Sequence, residues 1–406
     1  MNKSRVAFVV QRCGREVNGG AEAHCLMVAQ RMTAHWHTEV LSTCALRYVD
    51  WANHYPQGEE NIDGVLVRRF LVERPRDIDA FNRLSSQLHP NSATASLEEQ
   101  QSWMRAQGPW SPRLLDYIEL HANDYDVFIF FGYLYAQTYF GLPKVADKAI
   151  LAPLAHDEWT IHLNMWSPFF LLPRVFVFNT IEERDFLRRR FPDVRLDGPV
   201  VGVAVDRPSD IDPQRFRREH GLNDGFLIYI GRIDPSKGCD ELFDYFIRHR
   251  ASGLGPTKLV LVGEAVMQIP DHPDIVSLGF VSEQIKWDAL AACDALVMPS
   301  PYESLSMVLL EAWAAGKPAL VNGRCQVLAG QCSRANGGVC YETFDEFSQG
   351  LVRLREGRNP GVYGRQGWRF VKAHYRWPVI EQAYLDLVAA VTPLPKESPR
   401  SSQAGN

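Results

Sequence analysis

The sequence has no long hydrophobic run. Its most apolar later stretch, Phe169 to Phe178, is broken by Pro173 and Arg174 and falls far short of the ~20 residues a spanning helix needs. The start, MNKSRVAFVV, meets Gln11 and Arg12 too early to hold the apolar core of a secretory signal, so it reads as a buried strand. The expectation is a soluble, cytoplasmic chain, attached at most to the surface of a membrane. A basic excess is missing too: 43 Lys+Arg against 48 Asp+Glu leave a formal charge of -5. Nucleic acid is therefore a poor main partner, because phosphate backbones demand a strong positive field. None of the eight cysteines forms a C-x-x-C pair, which removes zinc knuckles and thioredoxin-like redox motifs. A Walker loop, a nucleophile elbow and an H-E-x-x-H helix are also missing. Three D-x-D triplets occur, at Asp77 to Asp79, Asp124 to Asp126 and Asp210 to Asp212, but none follows a predicted strand, so no metal and no cofactor are expected.

What is present is 46% hydrophobic residues over 406 positions, enough for two or three cores. Strand and helix patterns alternate. Arg5 to Val10 is a β-branched run, followed by a glycine turn at Gly19 and Gly20 and a helical pattern over Ala21 to Thr33. Glu39 to Ser42, Val65 to Phe70, Val127 to Phe131, Ala149 to Ala155 and Val175 to Asn179 read as further strands, with a helical insertion between about Arg74 and Pro112. Leu196 to Pro213, rich in Gly and Pro, reads as a linker. The alternation then restarts, with strands at Phe226 to Ile230, Lys258 to Val262, Ile275 to Leu278, Ala295 to Met298 and Ala319 to Val321. A helix is expected over Ser304 to Ala315. Two successive parallel halves imply an α/β fold of two facing, Rossmann-like, doubly wound domains, with ligands in the cleft at the carboxyl ends of the strands.

Two motifs carry chemistry. GRIDPSKG, Gly231 to Gly238, follows a strand; Arg232 and Lys237 offer a forked and a compact cation suited to a diphosphate, or else they are spent on Asp234 and Asp240 in a solvated turn. In PSPYESLSMVLLEAWAAGKPAL, Glu303 and Glu311 stand eight positions apart, which along a helix spans roughly 12 Å. With the helix starting near Glu303, the N–H groups of Leu305, Ser306 and Met307 are free to hold phosphate. Glu311 sits among Leu309, Leu310, Ala312 and Trp313, a poor place for an idle carboxylate.

This spacing resembles the EX7E motif of retaining GT-B glycosyltransferases, and with GRIDPSKG, the Gly19-Gly20 loop, VGE at Val262 to Glu264 and LGFVS at Leu278 to Ser282 the chain most resembles family 4 of these enzymes. The resemblance implies that Arg232 and Lys237 neutralise a leaving nucleoside diphosphate, Glu303 contacts the donor sugar and Glu311 binds the ribose. It also implies that Gly263, Glu264, Phe280 and Val281 meet the base, that Gly19, Gly20 and Gly231 allow close approach to the donor, and that His156 lies near the sugar. It further implies an acceptor-binding domain over 1–205, a nucleotide-sugar domain over 206–376, a last helix, 377–392, packed back on the first domain, and retention of configuration without metal. The acceptor implied is a glycan or lipid-linked saccharide of bacterial surface polysaccharide or lipopolysaccharide biosynthesis, with peripheral contact at the inner face of the cytoplasmic membrane. Residues 393–406 read as a disordered tail. Two departures stand out: VVGVAVD at Val200 to Asp206 lacks the Asn-Gly pair common in the family, and Leu305-Ser306 replaces Phe-Gly. The same frame hosts nucleotide-sugar epimerases, and a non-catalytic sugar-nucleotide-binding subunit is the rival from another class.

Overall fold

The computed structural model describes residues 3–17, 19–253, 258–356 and 361–392; the expected tail lies outside them. Two sheets account for the strands. The first contains β1 (Arg5–Arg12), β2 (His37–Thr43), β3 (Gly58–Ile62), β4 (Val65–Phe70), β5 (Val127–Phe131), β6 (Ala149–Ala152) and β7 (Val175–Phe176) in the order β3-β4-β2-β1-β5-β6-β7. Only the β3 and β4 pairing is antiparallel. The second contains β8 (Phe226–Ile230), β9 (Lys258–Val262), β10 (Ile275–Ser277), β11 (Ala295–Met298), β12 (Ala319–Asn322) and β13 (Gly338–Tyr341) in the order β10-β9-β8-β11-β12-β13, all parallel. β5, β8, β11 and β12 are buried at every residue, as unbroken apolar runs require when helices cover both faces.

The strand order reverses at β1 and again at β8, since each pairs with its successor on one side and with a later strand on the other. Crevices open where the order reverses, so the loops after β1 and after β8 are where a ligand fits. The insertion is helical: Ile78–Leu88, Leu97–Gln107 and Pro112–Leu120. A reciprocal Ser96 and Glu99 cap starts the second of these. Trp103 is buried there, donates to Ser85 Oγ at 2.9 Å and meets Trp159 edge-on, so it serves the core.

The segment expected as a free linker begins as an added rail of the first sheet. Phe176 N–H bonds Asp197 O, Phe178 N–H bonds Pro199 O and Val201 N–H bonds Phe178 O, satisfying backbone groups that would otherwise be stranded. Beyond it Val203 and Ala204 are buried, and the apolar cluster they join runs from Val6 and Val28 in the first lobe to Ile228 and Leu309 in the second. The last helix, Trp377–Val391, packs Tyr384 and Leu387 into that cluster, and its Glu381 faces Arg31 of the first lobe's helix Gly20–Met32 and His35 in the turn that follows it. None of the described helices is long and apolar enough to cross a membrane.

Helix Met307–Ala314, which carries Glu311, is braced from behind by helix Val362–His374. A Cβ on Gly364 would stand 2.0 Å from the Gly316 carbonyl oxygen. Gly364→Ala should therefore force these elements apart and cost about 1–3 kcal/mol, read as a lower denaturant midpoint. An unchanged midpoint would mean that the two elements are not closely seated.

Candidate active site

The loop leaving β8 is shaped by backbone contact. A Cβ on Gly263 would lie 2.0 Å from Gly231 O, and Gly263 has φ +137, so the turns that end β8 and β9 touch only because this residue is glycine. Asp234 accepts from Ser236 N–H at 2.7 Å and pairs with Arg232 Nε at 2.8 Å. Burial works against the Asp234 charge, but the Ser236 and Arg232 contacts outweigh it and hold the carboxyl below its usual range. Half of the solvated-turn alternative is thus realised. Lys237 goes elsewhere: its Nζ bonds Glu303 Oε1 at 2.9 Å, joining the two sequence motifs. Gly238, at φ +73, brings this loop against Pro299, whose carbonyl oxygen would stand 2.5 Å from an added Cβ.

The helix that was expected from Ser304 begins at Met307. Ser306 adopts φ 61 and ψ 80, a left-handed conformation that ends the preceding loop, and so Glu303 stands in that loop rather than on the helix. The helical rise argument for the eight-residue spacing fails for the same reason. Of Leu305, Ser306 and Met307, only Met307 belongs to the first turn. No side chain caps this helix, and its first amides are left for a ligand or solvent. Ser306 Oγ is buried without a partner.

Glu311 is buried as its apolar neighbours implied, and Lys286 meets it. Lys286 Nζ lies 2.8 Å from Glu311 Oε1 and 2.9 Å from Glu283, whereas Glu311 Oε2 has no partner. Burial raises the Glu311 carboxyl above its usual range, opposed by Lys286. Lys286 was not singled out from the sequence; the available signal was a lone lysine in the otherwise largely apolar helix Glu283–Ala292.

From the first lobe, His156 stacks on Tyr302 with ring centroids 5.4 Å apart and planes at 24°. Its Nδ1 is 3.7 Å from Glu158 Oε1, beyond hydrogen-bond range. Thr180 Oγ1 donates to Ser304 O at 3.2 Å, and Asn179 Nδ2 to Ser304 Oγ at 3.4 Å. Gly19 precedes the first helix; a Cβ there would meet Glu22 Oε2 at 2.1 Å, and Glu22 is itself fixed by buried Arg12 at 2.6 Å. A Cβ on Gly20 would meet nothing within 4 Å, so this helix start is open.

Between the lobes lies a cleft cavity of about 570 Å³, lined by Arg15 and Glu16 on one side and by Gly263, Glu264, Gly279 and Phe280 on the other. Phe280 is 69% exposed, an apolar ring held out toward this space. Val281 does not line it. The structure thus unites Lys237 with Glu303, Gly231 with Gly263, and His156 with the Glu303 loop; Arg232 remains with Asp234, its guanidinium 5.8 Å over the Tyr48 ring. Four of the D-x-D aspartates have structural work: Asp77 and Asp212 cap helices, Asp124 pairs with His121, and Asp126 accepts from Arg5 N–H.

Residues 225–356 match the family model of glycosyl transferases group 1. An uncharacterized glycosyltransferase of Methanocaldococcus jannaschii is 32% identical over 122 residues, 26% of this chain and 30% of that protein. A D-inositol 3-phosphate glycosyltransferase of Frankia alni is 30% identical over 213 residues, 46% of this chain and 47% of that protein. The matched part of the chain thus spans 30% to 47% of the length of these relatives. Sucrose-phosphate synthase from Thermosynechococcus elongatus superposes with a TM-score of 0.72 at 15% identity, over 96% of this chain and 100% of that one. Anabaena HepE in complex with UDP and glucose does so with a TM-score of 0.66 at 15% identity, over 95% and 100%. The fold is GT-B.

Lys286→Ala would leave the buried Glu311 without its cation, and breaking such a pair costs about 3–5 kcal/mol at neutral pH. The folded Glu311 carboxyl lies above its ordinary value of 4.5, so its contribution to stability is fully present below that value and is lost as pH rises through the folded one. The deficit of the variant, measured from denaturant midpoints, should be smaller near pH 5 than near pH 8. Equal deficits would mean that the carboxylate does not depend on Lys286.

Proposed function

We propose that this GT-B chain, whose second lobe matches group 1 glycosyl transferases, moves a hexosyl group from a nucleoside-diphosphate sugar to a hydroxyl of a glycan or lipid-linked saccharide. The observation that carries the reading is the Lys237 and Glu303 pair, which sets a diphosphate-binding cation and a sugar-binding carboxylate side by side beside an uncapped helix start. Before the donor enters, the two charges neutralise each other. A diphosphate offers Lys237 a stronger partner and releases Glu303 to accept hydrogen bonds from sugar hydroxyls. Arg232, Lys237 and the first amides of helix Met307–Ala314 then stabilise charge as it grows on the leaving group.

The remaining groups orient the donor. Glu311 Oε2, the oxygen that Lys286 does not take, accepts from the ribose, and Phe280 with the backbone of Gly263 and Glu264 receives the base in the 570 Å³ cleft. His156 stands over Tyr302, one residue from Glu303, where it reaches the sugar. In line with the resemblance to retaining GT-B enzymes, the acceptor hydroxyl attacks on the face the diphosphate leaves, with retention, no carboxylate nucleophile and no metal. Closing the lobes excludes water as a competing acceptor. We place the reaction in bacterial surface polysaccharide synthesis at the cytoplasmic side of the membrane. Because HepE is known in complex with UDP and with UDP-glucose, a UDP-sugar is the first donor to test.

A panel of UDP-, GDP-, ADP- and dTDP-sugars should single out one base by raising the Tm, since a ligand at a hundred times its Kd adds about 2.7 kcal/mol to the folded state. Product analysis with and without acceptor separates transfer from epimerisation: sugar conversion in the absence of acceptor would reject the transferase reading. Glu303→Ala should lower kcat by about 10²-fold or more while leaving nucleoside diphosphate affinity within about twofold. Normal turnover in that variant would remove Glu303 from the chemistry.

A further inference from the structure

The residues on both sides of Glu303 are held by the first lobe. Tyr302 lies against the His156 ring, and Ser304 receives Thr180 on its carbonyl and Asn179 on its hydroxyl. The two gripping loops follow different strands, β6 and β7, yet both end on one side chain. Glu183, in helix Ile181–Arg190, is 1% exposed; its Oε1 accepts from Ala155 N–H at 2.8 Å and its Oε2 from Asn179 N–H at 2.7 Å. Ala155 directly precedes His156, and Asn179 directly precedes Thr180.

Two features say that this arrangement serves more than stability. Burial is costly for the Glu183 carboxyl and raises it to about 7, and it is held by backbone amides of two separate loops that a neutral amide of the same shape could not both satisfy. Leu154, two residues before His156, adopts φ 55, a strained conformation for a leucine, and its N–H is also drawn to Glu183. Such strain persists only where surrounding contacts enforce it.

We propose that Glu183 is a positioning residue for Glu303: each of its oxygens fixes one loop, and the two loops clamp Tyr302 and Ser304 so that the carboxylate between them is aimed into the cleft. The role assigned to Glu303 rests on the glycosyl-transfer reading. The cations and amides that stabilise the diphosphate in that reading, Arg232, Lys237 and the first amides of helix Met307–Ala314, belong to the second lobe, so loosening the clamp reaches turnover more than nucleotide binding.

Glu183→Gln keeps the shape but sets an amide N–H against a backbone N–H. Hydrogen exchange at the Ala155 and Asn179 amides should accelerate about tenfold or more, with the Leu187 amide of the same helix as the unaffected reference. In the same variant kcat should fall about 10- to 100-fold, with the Kd for the nucleoside diphosphate within about twofold. Unchanged exchange at both amides, or an unchanged kcat, overturns the proposal, as does a loss of nucleotide affinity equal to the loss of kcat. Ser304→Ala, which removes the bond from Asn179 Nδ2 without touching Glu183 or its Thr180 cap, should lower kcat, whereas Ser304→Thr should restore it. Equal kcat in the two variants overturns the clamp even if Glu183→Gln does not fold. If wild-type protein transfers no sugar from any donor, the transferase reading falls by itself, while exchange at Ala155 and Asn179 still decides whether Glu183 holds both loops.

Discussion

The contact between Lys237 and Glu303 is the interaction on which the second lobe's site depends, and its worth lies in being replaceable. A partly exposed pair of this kind contributes about 0–1 kcal/mol, so on the proposed reading a diphosphate displaces the carboxylate at little cost. Glu311 and Lys286 are the opposite case. They are largely buried, one carboxylate oxygen is committed, and the pair cannot be opened without leaving a charge stranded. Eight residues apart in the chain, the two glutamates therefore differ in kind: one is a movable contact in a loop, the other a fixed acceptor on a helix.

The sheets position both. In each lobe the strand at which the order reverses is also the strand that delivers the glycine-bearing loop, β1 toward Gly19 and β8 toward Gly231. Where backbones must touch, the chain removes Cβ atoms, as at Gly263 against Gly231 and Gly238 against Pro299. Arg232, Lys237 and Glu303 stand on loops whose paths leave no room for an added side chain at these points.

Most of the core strands were legible because they are buried on both faces and so read as unbroken apolar runs; β5, β8, β9 and β11 begin and end where the sequence pattern does. β3 was not, for the converse reason. Its residues, GEENI, are nearly all exposed, and it is held by charge across the ladder: Arg68 to Glu59 at 2.6 Å and Arg69 to Glu60 at 2.5 Å. β13 is a short edge strand whose glycine packs on the Ala319 carbonyl, again without an apolar run to betray it. At the site, residue types that imply chemistry were readable, and partners supplied by tertiary packing were not. Lys286 and Glu183 come from helices that look ordinary in sequence, and only the fold brings one to Glu311 and the other under two loops.

The late start of the Glu303 helix has a different origin. The pattern from Ser304 onward is helical in composition, yet Ser306 is driven to φ 61, where a serine costs roughly 1–3 kcal/mol relative to relaxed backbone. Leu154 carries a comparable distortion on the other side of the cleft, beside the loop that bears His156. Both strained residues adjoin segments that meet across the lobes: Ser306 follows the Tyr302 to Ser304 turn, and Leu154 precedes the histidine stacked on Tyr302. Propensity alone would extend the helix back through Ser304 and relax the loop at Leu154. Either change would carry Ser304 away from Thr180, or His156 away from Tyr302, and so the local energy of each strained residue is opposed by a contact the two lobes make only when both distortions are kept.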